Sequence, residues 1–308
     1  MRLKAIPQEQ QIKKLWCGIL VATYFVLLWG TFVRVSRSGS GCGTSWPDCQ
    51  GTFWIAWDHL PQIIEYIHRA TSGLYGIVAL VAVLWTWRAS TSVLSRLLAF
   101  CFLGFVFLEA WIGRALVLQE YVVDDHRLLR MIWMGMHFLN TLCLTGNVML
   151  LWKGLDQAWT KDPRALQEKI KKIMLRPMPV FFLGLCLFGI VTSFYDSSIV
   201  VPGKSEWLVP AWVKICRNIH PFLALAFVGF VMWQLVRQAH DHRGKSWMYL
   251  AWVVVLNALI GLSNVFWHHW PGLQVLHVLC THLIWLMLVL YGLEHSGSPS
   301  QHHECSGS

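Results

Sequence analysis

The chain has 308 residues, 56% of them hydrophobic and 13% charged, with 19 Trp. That balance is too apolar for an ordinary soluble domain and long enough for several membrane crossings. Its 25 Lys and Arg against 16 Asp and Glu give a formal charge of +9. The cations gather in short connections, however, which reads as a topology signal and an attraction to anionic lipid heads and argues against nucleic acid as a partner.

Runs of about 20 apolar residues, the length that crosses a bilayer, predict eight helices near 15–33, 63–87, 94–118, 131–152, 178–196, 212–236, 247–267 and 271–293. The fold expected is an all-α membrane protein. The first segment follows Arg2, Lys4, Lys13 and Lys14; its apolar run is too long for a signal peptide and no small-residue cleavage site follows, so it reads as a retained helix.

Between the first two segments runs a Gly/Pro-rich loop holding Arg34, Cys42 and Cys49. Two cysteines separated by six residues on an oxidising side can close a disulfide, and both a structural staple and a redox-active pair remain open. The second segment opens with Glu65-Tyr66-Ile67-His68-Arg69. Glu65 and His68 lie one helical turn apart on one face. The carboxyl group can relay protons, stabilise a cationic intermediate, or pair with Arg69 or Arg34. In the third segment Glu109 is deep in an apolar helix, so it should be protonated, paired with Arg114 or another cation, or hydrogen-bonded to a bound cofactor.

His137 follows in the fourth segment, and a basic stretch from Lys153 to Arg176 containing Pro163 connects the two halves of the chain. His220 lies in the sixth segment, Asn257 in the seventh, and His277 with His282 in the eighth. The residues from Glu294 onward cannot bury a core and are expected to be disordered. His302, His303 and Cys305 lie in that tail. Cys17, Cys101, Cys143, Cys186, Cys216 and Cys280 are scattered in or beside apolar segments, where they are expected to pack as small hydrophobes.

Lys and Arg number four at the N-terminus, two between the second and third segments, seven between the fourth and fifth, and three between the sixth and seventh, 16 of 25 in all. Both termini are therefore expected in the cytoplasm. Each of His68, His137, His220 and His277 then sits about six residues, or about 9 Å, below the outer start of its helix, so all four share a depth in the outer leaflet.

An internal repeat supports two parallel halves. Glu109-Ala110-Trp111-Ile112-Gly113 is echoed by Asn257-Ala258-Leu259-Ile260-Gly261 after 148 residues, while His68 to His220 spans 152 and His137 to His277 spans 140. The expected architecture is two pseudo-symmetric four-helix bundles: residues 1–155, a cytoplasmic linker 156–176, residues 177–293, and the tail 294–308. Neutral imidazoles facing each other from two helices can clamp both faces of a porphyrin, which pairs His68 with His137 and His220 with His277. His282 lies roughly 140° around the helix from His277 and so reads as a packing or neighbouring residue. His240, His242, His268 and His269 fall in loops.

The chain resembles the haem A synthase family. The resemblance rests on Val33-Arg34, Ser38-Gly39-Ser40-Gly41, Trp46-Pro47-Asp48-Cys49-Gln50-Gly51, the Glu65-to-Arg69 phrase, the polar-x-x-x-Gly repeats and the histidines of the even segments. It implies oxidation of a methyl group of haem O to the formyl group of haem A by successive hydroxylations. It further implies that His68 and His137 hold the substrate haem, His220 and His277 a haem b, that Glu65 is catalytic, and that Cys42 and Cys49 form a redox-linked disulfide. Arg34, Arg69, Glu109 and Asn257 become the residues expected around these groups. The setting implied is the bacterial cytoplasmic membrane or its organellar equivalent, with the haem sites toward the outer side. Redox partners are implied too, with the haem O-producing prenyltransferase or a terminal oxidase as companions.

Three departures stand out. The family commonly has Gln where this chain has Glu109, the second outer loop near 197–211 has no cysteine pair, and Pro221 follows His220 where an Arg like Arg69 is expected. A bis-histidine b-type cytochrome that only transfers electrons, and a haem carrier, are the alternative readings.

Overall fold

The computed structural model describes residues 8–90, 92–122, 127–154, 163–174, 176–199, 210–238, 244–267 and 270–295. Nine helices occur among them: α1 (Gln8–Val35), α2 (Leu60–Ala89), α3 (Val93–Leu118), α4 (Leu128–Gly154), α5 (Pro163–Met174), α6 (Pro177–Ile199), α7 (Ala211–Gln238), α8 (Gly244–Phe266) and α9 (Pro271–His295). All but α5 are long and apolar enough to cross a membrane, matching the eight segments read from the sequence. Apolarity locates only the part of a helix that lipid surrounds. Gln, Glu and Lys are good helix formers, so α1 starts at Gln8, well before its apolar run.

Helices α1 to α4 pack in sequence, and α1 returns to α4 to close a four-helix ring; α6 to α9 repeat the arrangement. The rings meet where α1 and α4 lie against α9, and α4 against α6. Trp285 Nε1 of α9 crosses this seam to donate to Leu142 O of α4 at 2.8 Å. Arg34 Nη1 of α1 crosses it farther along, donating to Ser193 Oγ of α6 at 2.6 Å.

One buried apolar cluster, to which Trp16, Phe102, Val148, Phe182, Phe227 and Trp285 belong, spans both rings of helices. Trp16 meets Phe102 edge-on at 5.0 Å between ring centroids, and its Nε1 donates to Thr86 Oγ1 at 3.2 Å, satisfying the indole as burial requires. Helices α2 and α7 expose Leu74, Val81, Trp233 and Val236, as lipid-facing helices do.

The connection between the rings contains a helix, α5, whose Ile173 is buried and packs into the main cluster. Helix α9 runs through His295; His302, His303 and Cys305 lie outside the described residues, as do His240, His242, His268 and His269.

Candidate functional site

At the end away from α5, the loop between α1 and α2 folds over the bundle. Cys42 and Cys49 are fully buried and joined by a disulfide. Gly41 presses directly on the start of α2: a Cβ there would fall 2.5 Å from Pro61 C and O and 2.6 Å from Gln62 N, so only glycine fits. This contact seats the loop on α2 one turn before Glu65.

Glu65 is 3% exposed and fully engaged. Its Oε2 accepts from the Cys42 backbone N–H at 2.8 Å, and its Oε1 accepts from Arg69 Nη2 at 2.6 Å and Nε at 3.1 Å. Arg69 then uses Nη1 to donate to Ser45 O at 2.6 Å and to Asp48 O. Carboxylate, guanidinium and disulfide loop thus form one unit. Of the two cations weighed for Glu65, Arg69 takes the role; Arg34 reaches across the seam to Ser193 instead.

Below this unit lies a cavity of about 1550 Å³ lined by all eight long helices. That is larger than the roughly 300–1,000 Å³ of a single small-ligand pocket. His68, His137, His220 and His277 all line it, with Glu65, Arg69, Glu109 and Asn257. The four imidazoles thus border one cavity.

Glycines make room for three of the rings. A Cβ at Gly30 of α1 would lie 2.8 Å from His68 Cε1, one at Gly189 of α6 would lie 3.3 Å from His220 Cε1, and one at Gly261 of α8 would lie 3.0 Å from His277 Cε1. The fourth position breaks the pattern, because a Cβ at Gly113, the counterpart of Gly261, would meet nothing within 4 Å. The ring of His137 instead places Nδ1 directly against Glu109 Oε2. Glu109 Oε1 accepts from Thr141 Oγ1 at 2.7 Å. The expected partner Arg114 is elsewhere, its guanidinium 5.8 Å from the centre of the Trp46 ring. In the second ring of helices His277 Nδ1 lies 3.2 Å from the backbone O of Asn257, whose Nδ2 donates to Thr281 Oγ1 at 3.2 Å.

These features fit a haem. Imidazoles come from facing helices around a large, mostly apolar cavity, glycines let the rings lie close to neighbouring backbone, and the Nδ1 atoms of His68 and His220 are buried without a hydrogen-bond partner among the described residues. His282 is 1% exposed, its ring 5.3 Å from Phe138 and 6.3 Å from Tyr24, which makes it a packing residue at the seam. Cys186 and Cys280 are buried as expected, but Cys101 and Cys143 are exposed on their helices.

The two halves differ at the register of Glu65. The 152-residue repeat puts Arg217 there, paired with Asp196 Oδ1 at 2.9 Å, and puts Pro221 at the register of Arg69. Among the described residues, the acid clamped one turn before a histidine is therefore confined to the first half. Sequence reasoning missed Thr141 and Thr281, although both follow a histidine by four residues, the spacing at which their hydroxyls donate back to the carbonyls of His137 and His277 at 2.8 Å. It also missed the Arg217–Asp196 pair.

Residues 13–289 match the profile of the COX15-CtaA family, described as cytochrome oxidase assembly protein. Among curated proteins, the chain is 29% identical over 294 residues to "Protoheme IX farnesyltransferase" of Thermus thermophilus, covering 88% of this chain and 46% of that protein. The chain thus spans about half the length of that relative. It is 25% identical to "Heme A synthase" of Bacillus licheniformis over 84% of this chain and 87% of the relative. It is 27% identical to "Heme A synthase" of Geobacillus kaustophilus over 80% and 78% respectively.

Proposed function

The chain belongs to the COX15-CtaA family of cytochrome oxidase assembly proteins, and from that premise we propose that it is a haem A synthase, an oxidoreductase converting a methyl group of haem O to the formyl group of haem A. The observation that carries this reading is the asymmetry between the halves: of the four cavity-lining histidines, His68 is, among the described residues, the one with a carboxylate one turn away that both the disulfide loop and an arginine hold, Glu65.

In this reading His68 and His137 hold the substrate haem O, and His220 and His277 hold haem b. When bound, the haem groups supply the one-electron chemistry that side chains lack. The conversion removes four electrons and four protons from the methyl group and water taken together, by way of successive hydroxylations, and the electrons pass to an external redox partner or oxygen. The protein's part is to position and to move protons. Glu65, held at both oxygens, is fixed where a proton leaving the hydroxylated carbon can be taken up, and Arg69 keeps the carboxylate oriented between turnovers. The Cys42–Cys49 loop covers that spot and keeps water out. The Arg217 position offers no such base, consistent with a purely electron-transferring role for haem b.

The clustering of Lys and Arg near α5 and the N-terminus supports a topology with both termini cytoplasmic and the disulfide end facing outward, in the bacterial cytoplasmic membrane. A haem O-producing prenyltransferase is the proposed partner. The Thermus relative bears a farnesyltransferase name and this chain accounts for less than half of its length, which supports a neighbourly arrangement of the two activities.

The test is co-expression with a haem O-producing enzyme followed by mass analysis of extracted porphyrins. A formyl-bearing product is expected from the wild type, and Glu65→Gln should keep its haem yet accumulate haem O or its hydroxylated form. Recovery of haem b alone from both positions would establish an electron-transfer cytochrome instead, and substoichiometric, readily exchanged haem would establish a carrier.

A further inference from the structure

We propose that Glu109 is a positioning residue that makes the two haem positions electronically unequal, orienting His137 and biasing the haem held there toward the ferric state. The inference rests on the haem ligation proposed above.

Equivalent residues in the two halves differ in charge. At the register of the third helix in each ring stand Glu109 and Asn257, and at the register one turn beyond the ligand histidine stand Thr141 and Thr281. In the first half Thr141 donates to the acid and His137 Nδ1 rests on the acid's other oxygen. In the second half the polarity reverses: the Asn257 amide donates to Thr281, and His277 Nδ1 meets only a backbone carbonyl. One histidine is therefore backed by a carboxylate and its counterpart by a neutral group.

The rings respond to this difference. His277 lies over Gly261, whereas His137 leaves the space over Gly113 open and turns to Glu109. Neither His137 Nδ1 nor Glu109 Oε2 has any other hydrogen-bond partner among the described residues. The Glu109 side chain is 17% exposed and that of His137 36%.

A carboxylate on the far nitrogen of a ligating imidazole fixes ring and tautomer and raises the basicity of the ligating nitrogen. A more basic ligand stabilises the ferric over the ferrous ion and lowers the reduction potential, one of the protein's main controls on a haem. A backbone carbonyl in the same place does this more weakly. The first position is thereby the harder to reduce, and an electron shared between the two haems rests on the second.

The experiment is spectropotentiometric titration of the full-length protein in detergent, with haem content measured in parallel, for the wild type, Glu109→Gln and Asn257→Glu. Glu109→Gln should shift the reduced-to-oxidised ratio of the lower-potential haem at least tenfold toward reduced, about 59 mV for one electron, and leave the higher wave in place. Asn257→Glu should move the higher wave downward. Waves that stay fixed in Glu109→Gln, that move together, or a Glu109→Gln protein that loses the first haem while retaining the second, would each overturn the proposal. Failure of the wild type to take up haem would instead bring down the ligation itself, and the two failures are separated by the haem assay.

Discussion

The backbone N–H of Cys42 donates to Glu65 Oε2 at 2.8 Å, so the ring closed by the disulfide is tied to the carboxylate one turn from His68. Hydrogen bonds to charged groups contribute about 1.5–3 kcal/mol. Opening the ring frees the N–H to wander. Cys42→Ser is therefore expected to retain its haem spectrum while forming haem A about tenfold more slowly, a change of about 1.4 kcal/mol in barrier. The measurement is the ratio of haem A to haem O in extracted porphyrin, and an unchanged ratio would leave the loop seated by Gly41 and Arg69 alone.

Gly41→Ala tests that seating directly. The added methyl group would overlap the Pro61 and Gln62 backbone, and relief by backbone movement costs about 1–3 kcal/mol. Faster proteolysis within residues 36–58 and reduced turnover, with haem content unchanged, are the expected results. Limited digestion followed by mass mapping reads them out.

Gly261→Ala should displace the His277 ring, since its Cβ would lie 3.0 Å from Cε1. Gly229→Ala on α7 is the matched control, because nothing lies within 4 Å of the added atom. The first variant is expected to bind the second haem at least tenfold less tightly and the control to match wild type, judged by haem retention on dilution. Equal behaviour would mean the ring has room to retreat.

His220→Ala and His277→Ala should each abolish the low-spin spectrum of one haem and spare that of the other, with both proteins still inserting in the membrane. Loss of both spectra from either variant would place the two groups in a single shared site. Difference spectra of reduced against oxidised membranes suffice for the test.

All eight crossings were legible in the sequence because a bilayer demands about 20 consecutive apolar residues, a signal that few other structures produce. That the four histidines border one cavity was approachable for a related reason: each lies a similar number of residues from the start of its helix. Partnerships across helices were harder to read. Arg114 was a plausible mate for Glu109 by proximity in sequence, yet five residues turn the chain by about 140°, and the acid instead met His137 on the neighbouring helix. Helix α5 hid among its charges, although Pro163 at its first position and the apolar Ile170, Ile173 and Met174 mark it. Its run is too short and too polar for any membrane criterion.

Glycine inside a helix gives up about 1 kcal/mol of propensity relative to Ala, and Gly30, Gly189 and Gly261 do so within α1, α6 and α8. In water such concessions would invite fraying. Hydrocarbon surroundings forbid it, because an unwound turn would expose amide and carbonyl groups with nothing to bind. The lipid thus supplies the stiffness that these helices forgo, and their bare spots become seats for imidazole rings that a soluble scaffold would have to secure by some other means.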